Sequence, residues 1–259
     1  MQTVSLKIGT ATPKSLVVEP KPLDILSKLY AFSQGGVMMT TQLKKAETKD
    51  NVLSENTAQG VYQKLNELMS NRASRLTRWI WELLQNARDA SMGKDSLIAT
   101  VQCLPNELTF LHNGKGFTDR EIAHLIFHGS TKVEEERTIG QYGTGFLTTH
   151  LLSPTIDVSG QLGDSWFNFC LERKPDSVEA LRESMDRAWE NFKVFPSLQV
   201  PIPDCFTTRF VYPIEDDAVD AVEKGIAMLK QCAPFVVVFN QEFSRIDIEN
   251  RGETMCFEV

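Results

Sequence analysis

The chain has 259 residues, of which 42% are hydrophobic and 24% are charged, as is ordinary for a soluble globular protein. Its net charge of −7 argues against direct contact with nucleic acid, because phosphate-binding surfaces are made of clustered Lys and Arg. No apolar run is long enough for a transmembrane helix, and residues 1–14 lack the charged and apolar regions of a secretory signal. We therefore expect no membrane partner.

The cysteines are odd in number, far apart, and include no C-x-x-C pair. This pattern excludes a disulfide framework and a structural zinc site. Buried reduced thiols are typical of cytosolic proteins, so we expect a cytoplasmic location. The five residues are Cys103, Cys170, Cys205, Cys232 and Cys256.

Composition divides the chain into three parts. Residues 1–57 mix Pro, Thr, Lys and Gly and predict a partly ordered N-terminal extension. Residues 58–232 carry the regular hydrophobic patterns and predict the main domain. Residues 233–259 read as a strand and then a hairpin turning at 250–252, which we expect to open a following domain of a longer protein.

The elements of the main domain are predicted by periodicity and turn signals. Apolar residues between Leu76 and Ala87 follow the spacing of an amphipathic helix. Thr118 and Glu121 form a capping box, which starts a helix over residues 119–127. A further helix is predicted from the glycine-rich segment 140–145 through Leu152. The remaining expected elements are strands at 97–103, 107–111, 155–159, 165–171 and 208–212, and helices at 177–192 and 216–231.

Three polar residues of the first long helix, Glu82, Asn86 and Asp89, share one face because they are spaced by four and three residues. A carboxylate there can orient and deprotonate a water molecule, and a neutral amide oxygen can complete the coordination of a magnesium ion bound to phosphates. The alternative is a solvated face on which Glu82 pairs with Arg78 one turn back.

Two glycine-containing segments follow. In the first, residues 112–117, Gly114 and Gly116 let backbone approach a flat ligand, although a tight strand-to-helix turn gives the same pattern. In the second, residues 139–146, three glycines precede a helix start and predict a site for a di- or triphosphate. This segment lacks the Walker lysine, and a flexible hinge is compatible with the same composition.

Taken together, these segments resemble the GHKL superfamily, which includes gyrase, the ninety-kilodalton heat-shock chaperone, sensor histidine kinases and MutL. Residues 139–146 are similar to the chaperone's I-G-Q-F-G-V-G-F. The short segment Ser130–Lys132 and the phrase His112-Asn113-Gly114 are most similar to the sacsin-type, chaperone-related branch. The resemblance implies an α/β two-layer sandwich, with helices over a mixed, largely antiparallel sheet, and ATP and Mg²⁺ as cofactors.

The resemblance also implies roles for individual residues. Glu82 corresponds to the general base, and Asn86 to the magnesium ligand. The other implied nucleotide contacts are Asp89, His112, Gly114, Gly116, Phe117, Thr131, Lys132, Gly140, Gln141, Gly143, Gly145, Phe146 and Thr208.

His112 stands where the superfamily has an aspartate that accepts from the adenine amine. A neutral imidazole has one acceptor and one donor nitrogen. His112 can therefore read adenine through its acceptor nitrogen, or it can turn outward and leave this contact to backbone or water. The chain also has few candidates for the Lys or Arg that relatives bring to the γ-phosphate from the next domain, which predicts slow hydrolysis by the isolated piece.

The expected function is that of a Mg-dependent ATPase and chaperone-like conformational switch, in which nucleotide orders a lid at residues 128–138. Two other functions stay open: a protein kinase of the histidine-kinase type, and a nucleotide sensor that binds without hydrolysis. The candidate partners are ATP, following domains of the same chain, and a second copy of the chain in a homodimer.

Overall fold

A computed structural model describes residues 54–91, 96–127, 145–174, 176–194, 202–203 and 205–259. The helices are α1 (residues 54–70), α2 (Arg78–Asp89), α3 (Asp119–Phe127), α4 (Val178–Val194) and α5 (Val219–Phe239). The strands are β1 (Leu97–Leu104), β2 (Glu107–His112), β3 (Thr155–Leu162), β4 (Ser165–Glu172), β5 (Thr208–Pro213), β6 (Phe243–Asn250) and β7 (Glu253–Glu258). Short 3-10 helices cover Arg72–Ser74, Phe146–Leu151 and Asp216–Ala218.

The strands form one seven-stranded sheet in the order β4-β3-β5-β2-β1-β6-β7. Every neighbouring pair is antiparallel except β1 and β6, which run parallel. This confirms the expected fold class, an α/β arrangement with helices over a mixed, largely antiparallel sheet.

The central strands bury large side chains against the helical layer. Phe210 pairs with Phe110 and Val158 in the strand register, and all three side chains are fully buried. The ring of Phe146, just after the glycine-rich segment, lies 5.4 Å from that of Phe210. Because Phe146 belongs to the helical layer, the sheet face that carries Phe110 and Phe210 is the face that packs against the helices. Burying each of these aromatic side chains contributes roughly 1.5–3 kcal/mol.

The C-terminal part differs from the sequence prediction. Helix α5 was expected to end at residue 231, but it continues through Pro234 to Phe239. Its buried residues Ile226, Leu229, Ala233 and Val237 keep helical spacing across the proline, and this packing outweighs the one hydrogen bond that a proline cannot donate.

The following strands also differ from the expectation. Strand β6 pairs with β1 along Leu97–Cys103, and β7 pairs with β6. Residues 243–258 thus extend the main sheet, whereas the sequence pattern had placed them at the start of a following domain. The predicted hairpin and its turn are confirmed: β6 and β7 are antiparallel, and Arg251 and Gly252 between them have positive φ.

The N-terminal boundary also moves. Helix α1 covers residues 54–70, so residues 54–57, which the composition had assigned to the extension, form the start of a helix whose later residues Ala58, Val61 and Leu65 are buried. Residues 1–53 lie outside the described part of the chain. Within the described part, no helix combines the length and apolar character needed to cross a membrane.

Arg173, just after β4, has no exposed surface, and sequence reasoning did not single it out. Its guanidinium donates to the backbone oxygens of Leu125 at 2.5 Å and Ile126 at 3.1 Å, near the end of α3. Burial lowers the pKa of Arg173 to about 9, which leaves the group charged at neutral pH. A buried cation therefore binds the last turn of α3, where carbonyl groups have no partner within the helix.

Candidate functional site

The polar face of α2 meets the end of the glycine-rich segment. Arg78 Nε donates to Glu82 Oε1 at 3.1 Å, so the ion pair expected on a solvated face is present. However, the Glu82 side chain is only 15% exposed, and a Cβ added at Gly145 would overlap its Oε2 atom. The glycine at position 145 therefore creates the space that this carboxylate occupies. Two motifs that are distant in the sequence come together at Glu82 and Gly145.

Asn86 lies one turn after Glu82 and is 6% exposed. Its Nδ2 atom is buried and has no hydrogen-bond partner in the described ranges. Asp89, the third member of the polar face, is half-buried and pairs with Arg88 at 3.2 Å. The three predicted residues therefore share a face, and Asn86 is the one whose side chain the described protein leaves unsatisfied.

These side chains fit a magnesium ion bound mainly by phosphate and water oxygens. Mg²⁺ usually takes one or two protein ligands, and carboxylate and amide oxygens suit it. In the described part of the chain, no group of three His, Cys, Asp or Glu side chains could form a dedicated metal site. On the polar face of α2, Asn86 Oδ1 is the protein atom that suits such an ion.

The glycines of segment 112–117 are explained by contacts within the protein. A Cβ at Gly114 would lie 2.9 Å from Ala90, and a Cβ at Gly116 would lie 2.5 Å from the backbone oxygen of Gln161. The intervening loop donates from Lys115 N to Ala90 O at 2.7 Å. The sequence left open a flat ligand or a tight turn at this loop, and the contacts of the loop with Ala90 after α2 and with Gln161 in β3 account for both glycines.

The loop from Asn113 to Thr118, called the paired loop below, forms side-chain bonds with neighbouring strands and with Glu121 in the first turn of α3. Asn113 Oδ1 accepts from Ile98 N at 2.7 Å, and Nδ2 donates to Ser96 O at 3.0 Å. Lys115 Nζ lies 2.7 Å from Glu121 Oε1, and the predicted capping box with Thr118 is confirmed by reciprocal bonds at 2.8 and 3.3 Å.

The ring of Phe117 is buried and lies 5.2 Å from that of Phe167. Phe117 was expected to contact nucleotide, but its side chain is packed in the core, where it anchors the paired loop against Phe167. Thr207, which sequence reasoning missed, donates its hydroxyl to Gly114 O at 2.6 Å and fixes the loop from β5. This contact spans 93 residues, so no local pattern could have revealed it.

His112, the last residue of β2, is 1% exposed, so the outward orientation considered from the sequence is wrong. The N–H of Gly114 donates to His112 Nδ1 at 3.2 Å. Burial lowers the pKa of His112 to about 3, so the ring is neutral at physiological pH. The acceptor nitrogen proposed for adenine is thus already used by the protein. The other nitrogen, Nε2, is buried without a partner among the described residues.

Thr208 lies opposite His112 in the register of β2 and β5. It is fully buried, and its Oγ1 atom has no partner in the described part of the chain. Because side chains alternate along a strand, Thr208 and Phe210 point to the same face, as do His112 and Phe110. His112 and Thr208 therefore face the helical layer. We call Asn86, His112 and Thr208 the unpaired cluster.

The glycine-rich segment is only partly described. Phe146 is buried and begins a six-residue 3-10 helix that ends at Leu151, one residue before the end predicted from the sequence. A 3-10 helix this short has a small dipole, so its start offers little of the positive potential that the sequence analysis expected at this position. Residues 128–144 lie outside the described residues, and with them the predicted lid and the candidates Thr131, Lys132, Gly140, Gln141 and Gly143.

A comparison with solved structures matches this fold to the B-subunit of DNA gyrase from Myxococcus xanthus, with a TM-score of 0.51 and 11% sequence identity. The match covers 75% of this chain and 56% of the gyrase chain, so it spans little more than half of that subunit. No protein-family model matches the sequence, and no curated protein is similar enough in sequence to count as a match. The similarity establishes a shared fold alone and gives no support for the sacsin-type branch expected from the sequence.

Proposed function

We propose that this chain binds a purine nucleoside triphosphate together with one magnesium ion, hydrolyses it, and acts as a nucleotide-driven conformational switch. ATP is the nucleotide that the resemblance implies. The observation that carries the proposal is the contact between the Glu82 carboxylate and Gly145, because it joins the candidate base to the candidate phosphate segment.

Glu82 is the proposed general base. Arg78 holds its Oε1 atom, and the Oε2 atom faces the end of the glycine-rich segment. A carboxylate held in this way can orient a water molecule and take its proton as the water attacks a phosphate. Asn86, one turn later, is the proposed magnesium ligand, and the bound ion supplies neutralisation of the phosphate charge.

The sheet side of the site is proposed to hold the base of the nucleotide. His112 and Thr208 are neighbours across β2 and β5, and both point buried polar atoms toward the helical layer. Buried polar groups in proteins are nearly always hydrogen-bonded, so groups left without protein partners indicate where a ligand binds. The paired loop next to them is fixed from several sides and provides a rigid support.

We further propose that the switch serves a chaperone-like or effector-controlling protein of the sacsin-type branch, with residues 128–138 as the lid. The motifs at 112–114 and 130–132 support this branch. All five cysteines are free, which supports a cytosolic location, but three of them are exposed and not buried as the sequence analysis expected. Following domains of a longer chain, or a second copy of this one, are proposed to supply the cation that reaches the γ-phosphate.

The test uses γ-labelled ATP with Mg²⁺ and three proteins: the natural chain, Glu82→Gln and Arg78→Ala. We expect Glu82→Gln to bind nucleotide as the natural chain does and to release phosphate about a hundred- to ten-thousand-fold more slowly. Arg78→Ala loosens the Glu82 carboxylate without removing it, and a half-exposed ion pair of this kind is typically worth about 0.2–1 kcal/mol, so a much smaller loss is expected. Its rate should stay within about tenfold of the natural rate.

The same experiment separates the alternatives. Label on the protein in place of free phosphate would indicate a protein kinase of the histidine-kinase type. Tight nucleotide binding without release of phosphate would indicate a nucleotide sensor that does not hydrolyse. Equal rates for the natural chain and Glu82→Gln would remove Glu82 from the mechanism.

A further inference from the structure

We infer that the position occupied by His112 recognises a hydrogen-bond acceptor on the base, so that the site prefers a 6-oxopurine nucleotide to an adenine nucleotide. This inference rests on the proposed function and concerns the identity of the base. It follows from which nitrogen of His112 carries the proton.

The proton is located by the contact with Gly114. A backbone N–H can only donate, so Nδ1, at 3.2 Å from Gly114 N, uses its lone pair and carries no hydrogen. A neutral imidazole has one N–H, which must then be on Nε2. A doubly protonated ring is excluded by the same contact, because both of its nitrogens would be donors. The Nε2 atom is therefore a donor.

This donor is buried and has no acceptor among the described side chains or backbone groups. It points to the face of the sheet that packs against the helices, where Thr208 lies opposite. The resemblance implies that the 6-position of the base faces residue 112, and in that pose the 6-amino group of adenine would bring hydrogen against hydrogen at Nε2. The 6-oxo group of hypoxanthine or guanine brings a lone pair, and the buried N–H then has its partner.

Thr208 cannot make this distinction, because a hydroxyl can donate or accept by rotating. The discrimination therefore depends on His112. Three features fix the position of His112. It lies at the end of strand β2, its Nδ1 accepts from Gly114 N–H, and its backbone oxygen accepts from Thr207 N at 3.0 Å. Because His112 is only 1% exposed, a base reaches Nε2 after neighbouring side chains shift.

The test compares ITP, GTP and ATP, each with Mg²⁺, by calorimetric titration of the natural chain. ITP differs from ATP at the 6-position and lacks the 2-amino group of GTP, so it isolates the group that faces His112. We expect ITP to bind about tenfold more tightly than ATP, which corresponds to about 1.4 kcal/mol. ATP binding that equals or exceeds ITP binding would overturn the inference and leave the proposed function intact. If none of the three binds, both fail.

Two variants sharpen the test. His112→Asp replaces the donor with acceptors and should reverse the preference toward ATP. Thr208→Val removes a hydroxyl of nearly the same shape and should weaken both nucleotides while keeping their ratio. Because His112→Asp places a carboxylate in a buried position, nitrogen NMR of the natural chain gives an independent measurement. Protonation of Nε2 supports the inference, and protonation of Nδ1 contradicts it.

Discussion

Asn86 lies in helix α2, and Asn113 lies in the loop that packs against the end of that helix. Their side chains make very different contacts. Asn113, in the paired loop, uses both its side-chain oxygen and its nitrogen, at 2.7 and 3.0 Å from backbone partners. Asn86, in the unpaired cluster, is buried with an Nδ2 atom that no described group accepts. The side chain of Asn113 fixes the paired loop, whereas the side chain of Asn86 has an unused amide that is a candidate for ligand binding.

Hydrogen-bond partners therefore distinguish the polar residues that stabilise the fold from those that are candidates for ligand binding. The paired loop contains glycines and an asparagine that the sequence assigned to either a ligand site or a tight turn, and packing explains their contacts. The unpaired cluster contains buried polar atoms that the described part of the protein leaves without hydrogen-bond partners. Because buried polar groups are nearly always hydrogen-bonded, a ligand is the expected source of these partners.

The largest expected effect concerns acid stability and His112. The pKa of this ring is about 3 in the folded protein because burial disfavours the charged form, whereas an unfolded His titrates near 6.5. Below pH 6.5 the unfolded chain therefore binds a proton that the native chain does not, and stability falls as pH falls. Between pH 7 and pH 5 this residue should cost about 2 kcal/mol of unfolding free energy.

The measurement is urea unfolding at pH 7 and pH 5 for the natural chain and for His112→Asn, which keeps an acceptor for Gly114 but does not titrate. The variant should lose about 2 kcal/mol less over this range. An identical loss in both proteins would show that His112 is accessible to protons, and the contrast with the paired loop would weaken.

A smaller effect is expected in the paired loop. Asn113→Ala removes the partners of Ile98 N and Ser96 O, one part-buried and one exposed, and should lower the unfolding free energy by about 1–2 kcal/mol. Thermal unfolding without nucleotide measures it. Nucleotide affinity at a temperature where the variant remains folded should change little. A variant as stable as the natural chain would mean that these two bonds do not hold the loop.

The smallest effect on stability is expected for Asn86→Leu, an apolar replacement of nearly the same shape. Because Asn86 Nδ2 has no described partner, removing it should change the unfolding free energy by less than about 0.5 kcal/mol or raise it slightly. The additional stabilisation by nucleotide with Mg²⁺, relative to nucleotide with EDTA, should disappear. If Mg²⁺ stabilises this variant as it does the natural chain, Asn86 is not the metal ligand.

Local patterns in the sequence carried much of the fold. The helix Asp119–Phe127 matches the prediction because the capping box of Thr118 and Glu121 is a local signal. Strand positions followed from alternating apolar residues in the same way. The path of the chain after Gln231 could not be found like this, because the continuation of α5 depends on burial of Ala233 and Val237, and β6 depends on pairing with distant β1.

The candidate site was predictable in its residue types but not in its chemistry. The spacing of Glu82 and Asn86 already places them on one helical face. The tautomer of His112 depends on the position of Gly114 N–H, which only the three-dimensional turn sets. The contact of Glu82 with Gly145 joins two segments through tertiary packing, and no periodicity contains that information.

The buried guanidinium of Arg173 also has a consequence for the order of assembly. Its partners on α3 are 47 and 48 residues away in the sequence, so the contact forms only after the β3–β4 hairpin has docked beside α3. Until then the arginine and the last carbonyls of the helix both keep their water, and shedding it is unfavourable for either one alone. Completion of the last turn of α3 and docking of the β3–β4 hairpin are therefore coupled steps, because each satisfies the polar groups of the other.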